Sequence, residues 1–207
     1  MNRPVIHQAA GIALAYPDDE ILSLAGVIRR ALAESAPPAL PRFAPLLDWW
    51  ATTPASAVRQ DYVEVFDMSK RHALYLSYWT DGDTRRRGQV LAELKQRYRR
   101  QGLALEADGE LPDYLPLVLE FARRAPGDGA ALLQEYRASL ELIRLALAER
   151  GSPYEGVMAA VCGTLPGRSP EDRQQAMALA ANGPPAESVG LDAYDPRLLP
   201  MAGARGR

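Results

Sequence analysis

The sequence predicts an all-α protein, a single-domain bundle of about nine helices followed by a flexible C-terminal tail. Three observations carry that expectation. Apolar residues recur at three- and four-residue spacing from Ile6 to Cys162, as one face of a helix requires. No segment alternates with the two-residue period of a strand. Pro, Gly or a capping Asp or Ser punctuates most of these stretches, as helix ends do. At 207 residues the chain suits one domain with a sizeable core. Residues 1–165 are expected to form it and 166–207 the tail.

The first helix runs through Ile6, Ala9, Ala10 and Ala13 and stops before Pro17. Asp18, Asp19 and Glu20 open a second, where acids suit the positive end of the helix dipole. Its stripe is Ile21, Leu24, Ile28 and Leu32. A third, from about Pro41 to Ala51, carries the adjacent Trp49 and Trp50, which cannot both face one core. Thr53 as N-cap and Pro54 as first residue start a fourth, with Val58, Tyr62, Val65 and Phe66 inward. The fifth holds Leu74, Tyr75, Tyr78 and Trp79. Asp83 caps a sixth with Val90, Leu91, Leu94 and Tyr98, in which Gly88 suggests close approach by a neighbouring helix. The seventh is expected to begin at Asp113 as N-cap, with Pro116 in the first turn, and to run to Arg124. APGDGA reads as a loop before a long eighth helix bearing Leu133, Tyr136, Leu140, Ile143 and Leu147. A ninth runs from Ser152 to Gly163. Beyond Thr164 proline is frequent, with one short helix expected near 171–181.

Composition excludes several function classes. With 24 basic and 26 acidic side chains there is no global field to gather nucleic acid or an anionic membrane. The acidic N-terminal helices supply no basic helix-turn-helix. No run of about 18 apolar residues occurs to span a bilayer, and the start lacks the order of a signal peptide, so a cytoplasmic protein is expected. The one cysteine, Cys162, reads as a buried small hydrophobe in a reducing compartment. His7 and His72 match no zinc pattern, and GDTRRRG lacks the glycine spacing of a phosphate loop. Asp18 and Asp19 lack the third acid of a magnesium-binding DDxxD. No enzyme, metal or cofactor is expected from these residues.

Two features within 61–121 remain. Arg85, Arg86 and Arg87 stand in the first turn of a helix, where the dipole opposes them. They invite a bound anion or acidic partner, or pair with Asp81, Asp83 and nearby acids. Glu110, Asp113 and Glu120 lie beside Tyr114, Leu117 and Phe121 along an amphipathic edge.

The ordered set YVEVFDMSKRHALYLSYWTDGDTRRRG, the end of the Tyr98 helix and ELPDYLPLVLEF closely resembles the delta-subunit (NarJ) family of respiratory nitrate reductase assembly chaperones. These sit within the wider class of TorD/DmsD-like redox-enzyme maturation chaperones. The resemblance implies an all-helical protein without catalysis or cofactor. It implies binding of the N-terminal segment of the apo catalytic subunit in the cytoplasm until molybdenum cofactor is inserted, with release before the enzyme docks on its membrane partner. In such chaperones the segment matching ELPDYLP contributes to the peptide site. That role carries to Glu110, Leu111, Pro112, Asp113 and Tyr114, and helical geometry extends it to Leu117, Glu120 and Phe121. The chain has Asp-Tyr where sulfoxide-reductase relatives have Asp-His, so a His-dependent role is not carried over. The alternative is a helical phosphate-substrate enzyme, or a cofactor-phosphate-binding protein, using the Arg85–Arg87 corner.

Overall fold

The computed structural model describes residues 2–81, 85–103 and 109–182. Within them the chain forms α1 (Arg3–Ala13), α2 (Asp19–Ser23), α3 (Ala25–Ser35), α4 (Leu40–Thr52), α5 (Ala55–Tyr62) and α6 (Leu76–Asp81). There follow α7 (Arg85–Arg100), α8 (Leu115–Arg124), α9 (Pro126–Glu135), α10 (Arg137–Arg150), α11 (Glu155–Cys162) and α12 (Arg173–Asn182). No strand occurs among the described residues, and the all-α bundle stands as expected.

The helix count exceeds the expected nine for identifiable reasons. The second predicted helix is broken at Leu24 into α2 and α3. APGDGA is no loop: Pro126 serves as the first residue of α9, where its missing N–H costs no hydrogen bond. The long eighth helix then breaks at Tyr136 into α9 and α10, a break that the three-four spacing conceals. Thr53 does not cap α5, which starts at Ala55 without a side-chain cap.

α1 lies across α8 and also packs on α3 and α11, while α4 rests between α3 and α11. Ile6, Leu14, Phe43, Leu46, Leu119 and Val157 are fully buried at their junctions. Gly88 is exposed, with nothing within 4 Å of where a side chain would begin, so the expected close approach there is absent. The tight crossings are elsewhere. A methyl on Gly129 of α9 would collide with the backbone of Ala122 in α8, and one on Gly156 of α11 with the carbonyl of Arg42 in α4. Trp50 faces the core, and Trp49, half-buried, meets Tyr154 edge-on with ring centroids 6.3 Å apart. Cys162 is buried, and burial pushes its thiol pKa up.

α10 carries an ionic cluster that periodicity hid. Glu141 is fully buried between Arg144, whose Nε donates to it at 2.7 Å, and Arg137 at 3.8 Å. Arg137 also donates to the carbonyls of Gly167 and Arg168, at 3.0 and 2.9 Å, and Arg144 to that of Pro170 at 2.6 Å. Residues 166–170, expected as the start of the tail, are thereby tied to α10. α12 follows on the same helix with Ala176 buried.

Candidate functional site

The site is built from two chain segments that meet out of sequence order. Leu76 N–H donates to the carbonyl of Asp113 at 3.0 Å and Leu115 N–H to that of Leu74 at 2.8 Å, an antiparallel bridge between Tyr75 and Tyr114. LYLSYW and ELPDYLP are thus stitched together by backbone.

Asp113 completes the joint. Its Oδ2 accepts from Ser77 N–H at 3.1 Å and from Ser77 Oγ at 2.5 Å. Leu76 and Ser77 begin α6, whose first N–H groups have no partner within the helix. Asp113 therefore caps α6 through its carbonyl and carboxylate together. It does not cap its own helix: α8 starts at Leu115 after Tyr114, with no side-chain cap and Pro116 in its first turn. This corrects the expected N-cap role, and it takes Asp113 off the helical face that it was expected to share with Glu120.

Arg87 closes the same cluster. Its Nε donates to Ser77 Oγ at 3.1 Å, its Nη2 lies 3.4 Å from Asp113 Oδ2, and the guanidinium sits 6.0 Å from the centre of the Tyr75 ring. The arginine corner and the ELPDYLP segment, two features apart in sequence, are joined by this pair. Arg85 and Arg86 remain exposed at the start of α7. Asp83, their expected partner, lies outside the described residues, as does the side chain of Asp81.

The expected peptide-binding residues separate into two groups. Pro112, Asp113 and Phe121 are buried. Tyr98 donates its hydroxyl to the Pro112 carbonyl at 2.6 Å and packs its ring 4.6 Å from Phe121, which anchors ELPDYLP from beneath. Glu110 is exposed, and Leu111, Tyr114, Leu117 and Glu120 are partly so. Glu120 is held by Arg123 at 2.8 Å and Arg124 at 2.6 Å on its own helix, and the Arg123 bonds draw its carboxyl below the usual range.

Tyr114 lies at the centre of the outward group. Its ring is 5.5 Å from that of Tyr75, and its hydroxyl is 3.2 Å from that of Tyr62. Tyr62 gives its own proton to the Leu14 carbonyl at 2.9 Å, so Tyr114 is the donor between the two phenols. Tyr16, 47 % exposed, meets Tyr62 edge-on and extends the row. Burial, together with the charges of Glu110 and Asp67, pushes the Tyr114 phenol up to about 12. The same two acids act on Tyr75, whose phenol also rises, chiefly through burial. Asp67 ends a π-helical turn, Val63–Asp67, and Met68 beside it is 78 % exposed.

The result is a row of tyrosines flanked by two acids and an exposed methionine. Such a surface can hold an apolar face by contact and a cation by charge and by the faces of its rings. Sequence reading placed Tyr62 inward, where it lies at 3 % exposure, and did not single out Tyr75, Asp67 or Met68 for the site. The signal for Asp67 and Met68 was the FDM at the end of the fourth apolar stripe, an acid and a large apolar residue where that helix leaves the core. No group of three or more His, Cys, Asp or Glu side chains able to hold a metal occurs among the described residues, and none of their helices is long and apolar enough to cross a membrane.

Known proteins share this chain's pattern. NarX of Mycobacterium tuberculosis, a nitrate reductase-like protein, is 37 % identical over 161 residues, 77 % of this chain and 24 % of NarX. The chain thus spans about a quarter of that relative's length. NarJ of Bacillus subtilis is 29 % identical over 165 residues, 74 % of this chain and 84 % of that protein. NarJ of Escherichia coli K12, a nitrate reductase molybdenum cofactor assembly chaperone, is 36 % identical over 110 residues, 53 % of this chain and 46 % of that protein. The crystal structure of a candidate redox enzyme maturation protein from Archaeoglobus fulgidus has the same fold at a TM-score of 0.59. It is 18 % identical, and the match covers 79 % of this chain and 93 % of that one. The nitrate reductase delta subunit family matches residues 30–160, more than half of the chain, and the protein belongs to that family.

Proposed function

We propose that the protein is an assembly chaperone for a nitrate reductase, binding the N-terminal segment of the apo catalytic subunit in the cytoplasm while molybdenum cofactor is inserted. It leaves before the finished enzyme docks at the membrane. The observation that carries this reading is the surface of Tyr75 and Tyr114 flanked by Asp67 and Glu110. Family membership supports it, since the E. coli NarJ relative bears the name of such a chaperone. A basic amphipathic helix fits the surface, its apolar face on Tyr114, Leu117 and Met68 and its Lys or Arg side chains toward Glu110 and Asp67.

Of the predicted residues, Glu110, Leu111, Tyr114 and Leu117 touch the peptide directly in this reading. Pro112, Asp113 and Phe121 position them, and Glu120 lies at the rim. An interface of about 800 Å² per partner or less permits the reversible binding that a chaperone needs. A phosphate-substrate enzyme at the arginine corner is disfavoured because Arg87 is engaged with Asp113.

Calorimetric titration with a synthetic peptide of the first 15 or so residues of the cognate catalytic subunit tests the proposal. Binding that weakens with added salt is expected, because part of the attraction is exposed charge. Absence of binding by the folded protein at low salt would refute it.

A further inference from the structure

The tyrosine row has a second candidate occupant within the chain itself. Residues 183–207, outside the described residues, follow α12, and their charges are segregated. The stretch 183–196 holds Glu187, Asp192 and Asp195 and no basic side chain. From there on come Arg197, Arg205 and Arg207 with no acid, and among them stand Leu198, Leu199 and Met201.

The surface has the complementary character. Tyr75 and Tyr114 lie with ring centroids 5.5 Å apart, Met68 and Leu117 are exposed or partly so, and Glu110 and Asp67 act on both phenols. Asp113, Glu120, Glu135, Glu141 and Glu149 each hold an arginine. Asp67 and Glu110 have no ion-pair partner among the described residues. Partial burial raises the Asp67 carboxyl, a condition that a neighbouring cation relieves.

The segment is within reach. α12 packs on α10, and α10 packs on α6, which Tyr75 immediately precedes, and on the Lys70–His72 turn, which follows Met68. Two helix spacings are about 20 Å. A chain the length of residues 183–196 spans about 20 Å as a coil and at most about 45 Å extended. Arg197 and the residues after it therefore arrive at the surface with α12 still seated on α10.

We propose that residues 197–207 occupy the tyrosine row when no catalytic-subunit segment is bound. Leu198, Leu199 and Met201 lie against Tyr114, Leu117 and Met68, and the arginines turn toward Glu110 and Asp67. A basic, apolar segment of the catalytic subunit binds by displacing them. The inference rests on the function proposed for that surface and adds the occupant that regulates it. Tethering holds the segment at millimolar local concentration, so a weak contact suffices to cover the surface. Apparent affinity for the catalytic-subunit segment is then reduced by the fraction of chains in which the surface is free.

A spin label reports the contact in the full chain. Ala204→Cys can be labelled selectively with a nitroxide, because Cys162 is buried and its thiol pKa is pushed up. Amide resonances within 67–68, 75–77 and 110–117 should broaden independently of protein concentration. They should recover when the synthetic peptide of the catalytic-subunit N-terminus is added. Leu198→Ser together with Leu199→Ser should abolish the broadening, leave the unfolding midpoint unchanged and raise peptide affinity about fivefold in calorimetry. Broadening that is absent, lies elsewhere or grows with protein concentration would overturn the inference, as would peptide binding that the double variant leaves unchanged. Broadening at the site with no peptide binding to either chain refutes the catalytic-subunit reading alone and supports the self-contact.

Discussion

Asp113 and Glu141 are both fully buried carboxylates with arginine partners, yet they organise different things. Asp113 joins residues far apart in sequence: it caps α6, takes Arg87 from α7 and holds the strip from which Tyr75 and Tyr114 face outward. Glu141 pairs within its own helix, and its arginines hold the carbonyls of residues 167–170. One buried charge shapes a surface and the other clamps a segment. The regions touch where Ser139 of α10 donates to the carbonyl of Leu76 at 3.2 Å. A buried ion pair is thus no guide to function by itself; what lies above it decides.

The largest expected effects test this division. Asp113→Ala and Glu141→Ala should each cost about 3–5 kcal/mol in denaturant unfolding, since each leaves buried arginine without its partner. Glu141→Ala belongs at the upper end, because Arg137 is more buried than Arg87. The variants should differ in binding. Folded Asp113→Ala should lose peptide affinity, and folded Glu141→Ala should keep it.

Acid exposes a third buried group. His7 is held at about 4 against 6.5 for a free imidazole, so the unfolded chain takes up a proton that the folded one refuses. Stability from this group is whole above 6.5 and falls as pH drops toward 4, by about 3 kcal/mol. His7→Gln should flatten that part of the curve, measured by unfolding at a series of pH values.

Glu110→Lys should leave the unfolding midpoint unchanged, because the side chain is exposed, and weaken peptide binding about tenfold. Unchanged affinity would move the site away from ELPDYLP. The smallest effect is expected from Tyr114→Phe, which removes only the hydrogen bond to Tyr62 and should cost about 1 kcal/mol.

Most of the architecture was legible because amphipathic stripes are local. Ile28 with Leu32, Leu94 with Tyr98, and Leu140 with Ile143 and Leu147 were expected inward and lie inward. What was illegible depends on partners distant in sequence. ELPDYLP announces a helix start, and a capping Asp fits it by local rule. The competing use of Asp113 on Ser77, 36 residues away, leaves no local trace. The break at Tyr136 keeps the three-four spacing intact on both sides, so periodicity could not reveal it. Gly88 misled because glycine in a helix has more than one cause, and the tight crossings use Gly129 and Gly156 instead. Within the candidate site, ELPDYLP drew attention, but the tyrosine row required knowing that Tyr75 and Tyr114 are neighbours.

Amide hydrogen exchange with and without the catalytic-subunit N-terminal peptide tests the central claim most directly. Protection is expected to rise in residues 62–79 and 110–121, with α10 and α12 unchanged. Protection confined to α10 and α12, with residues 110–121 unaffected, would contradict it.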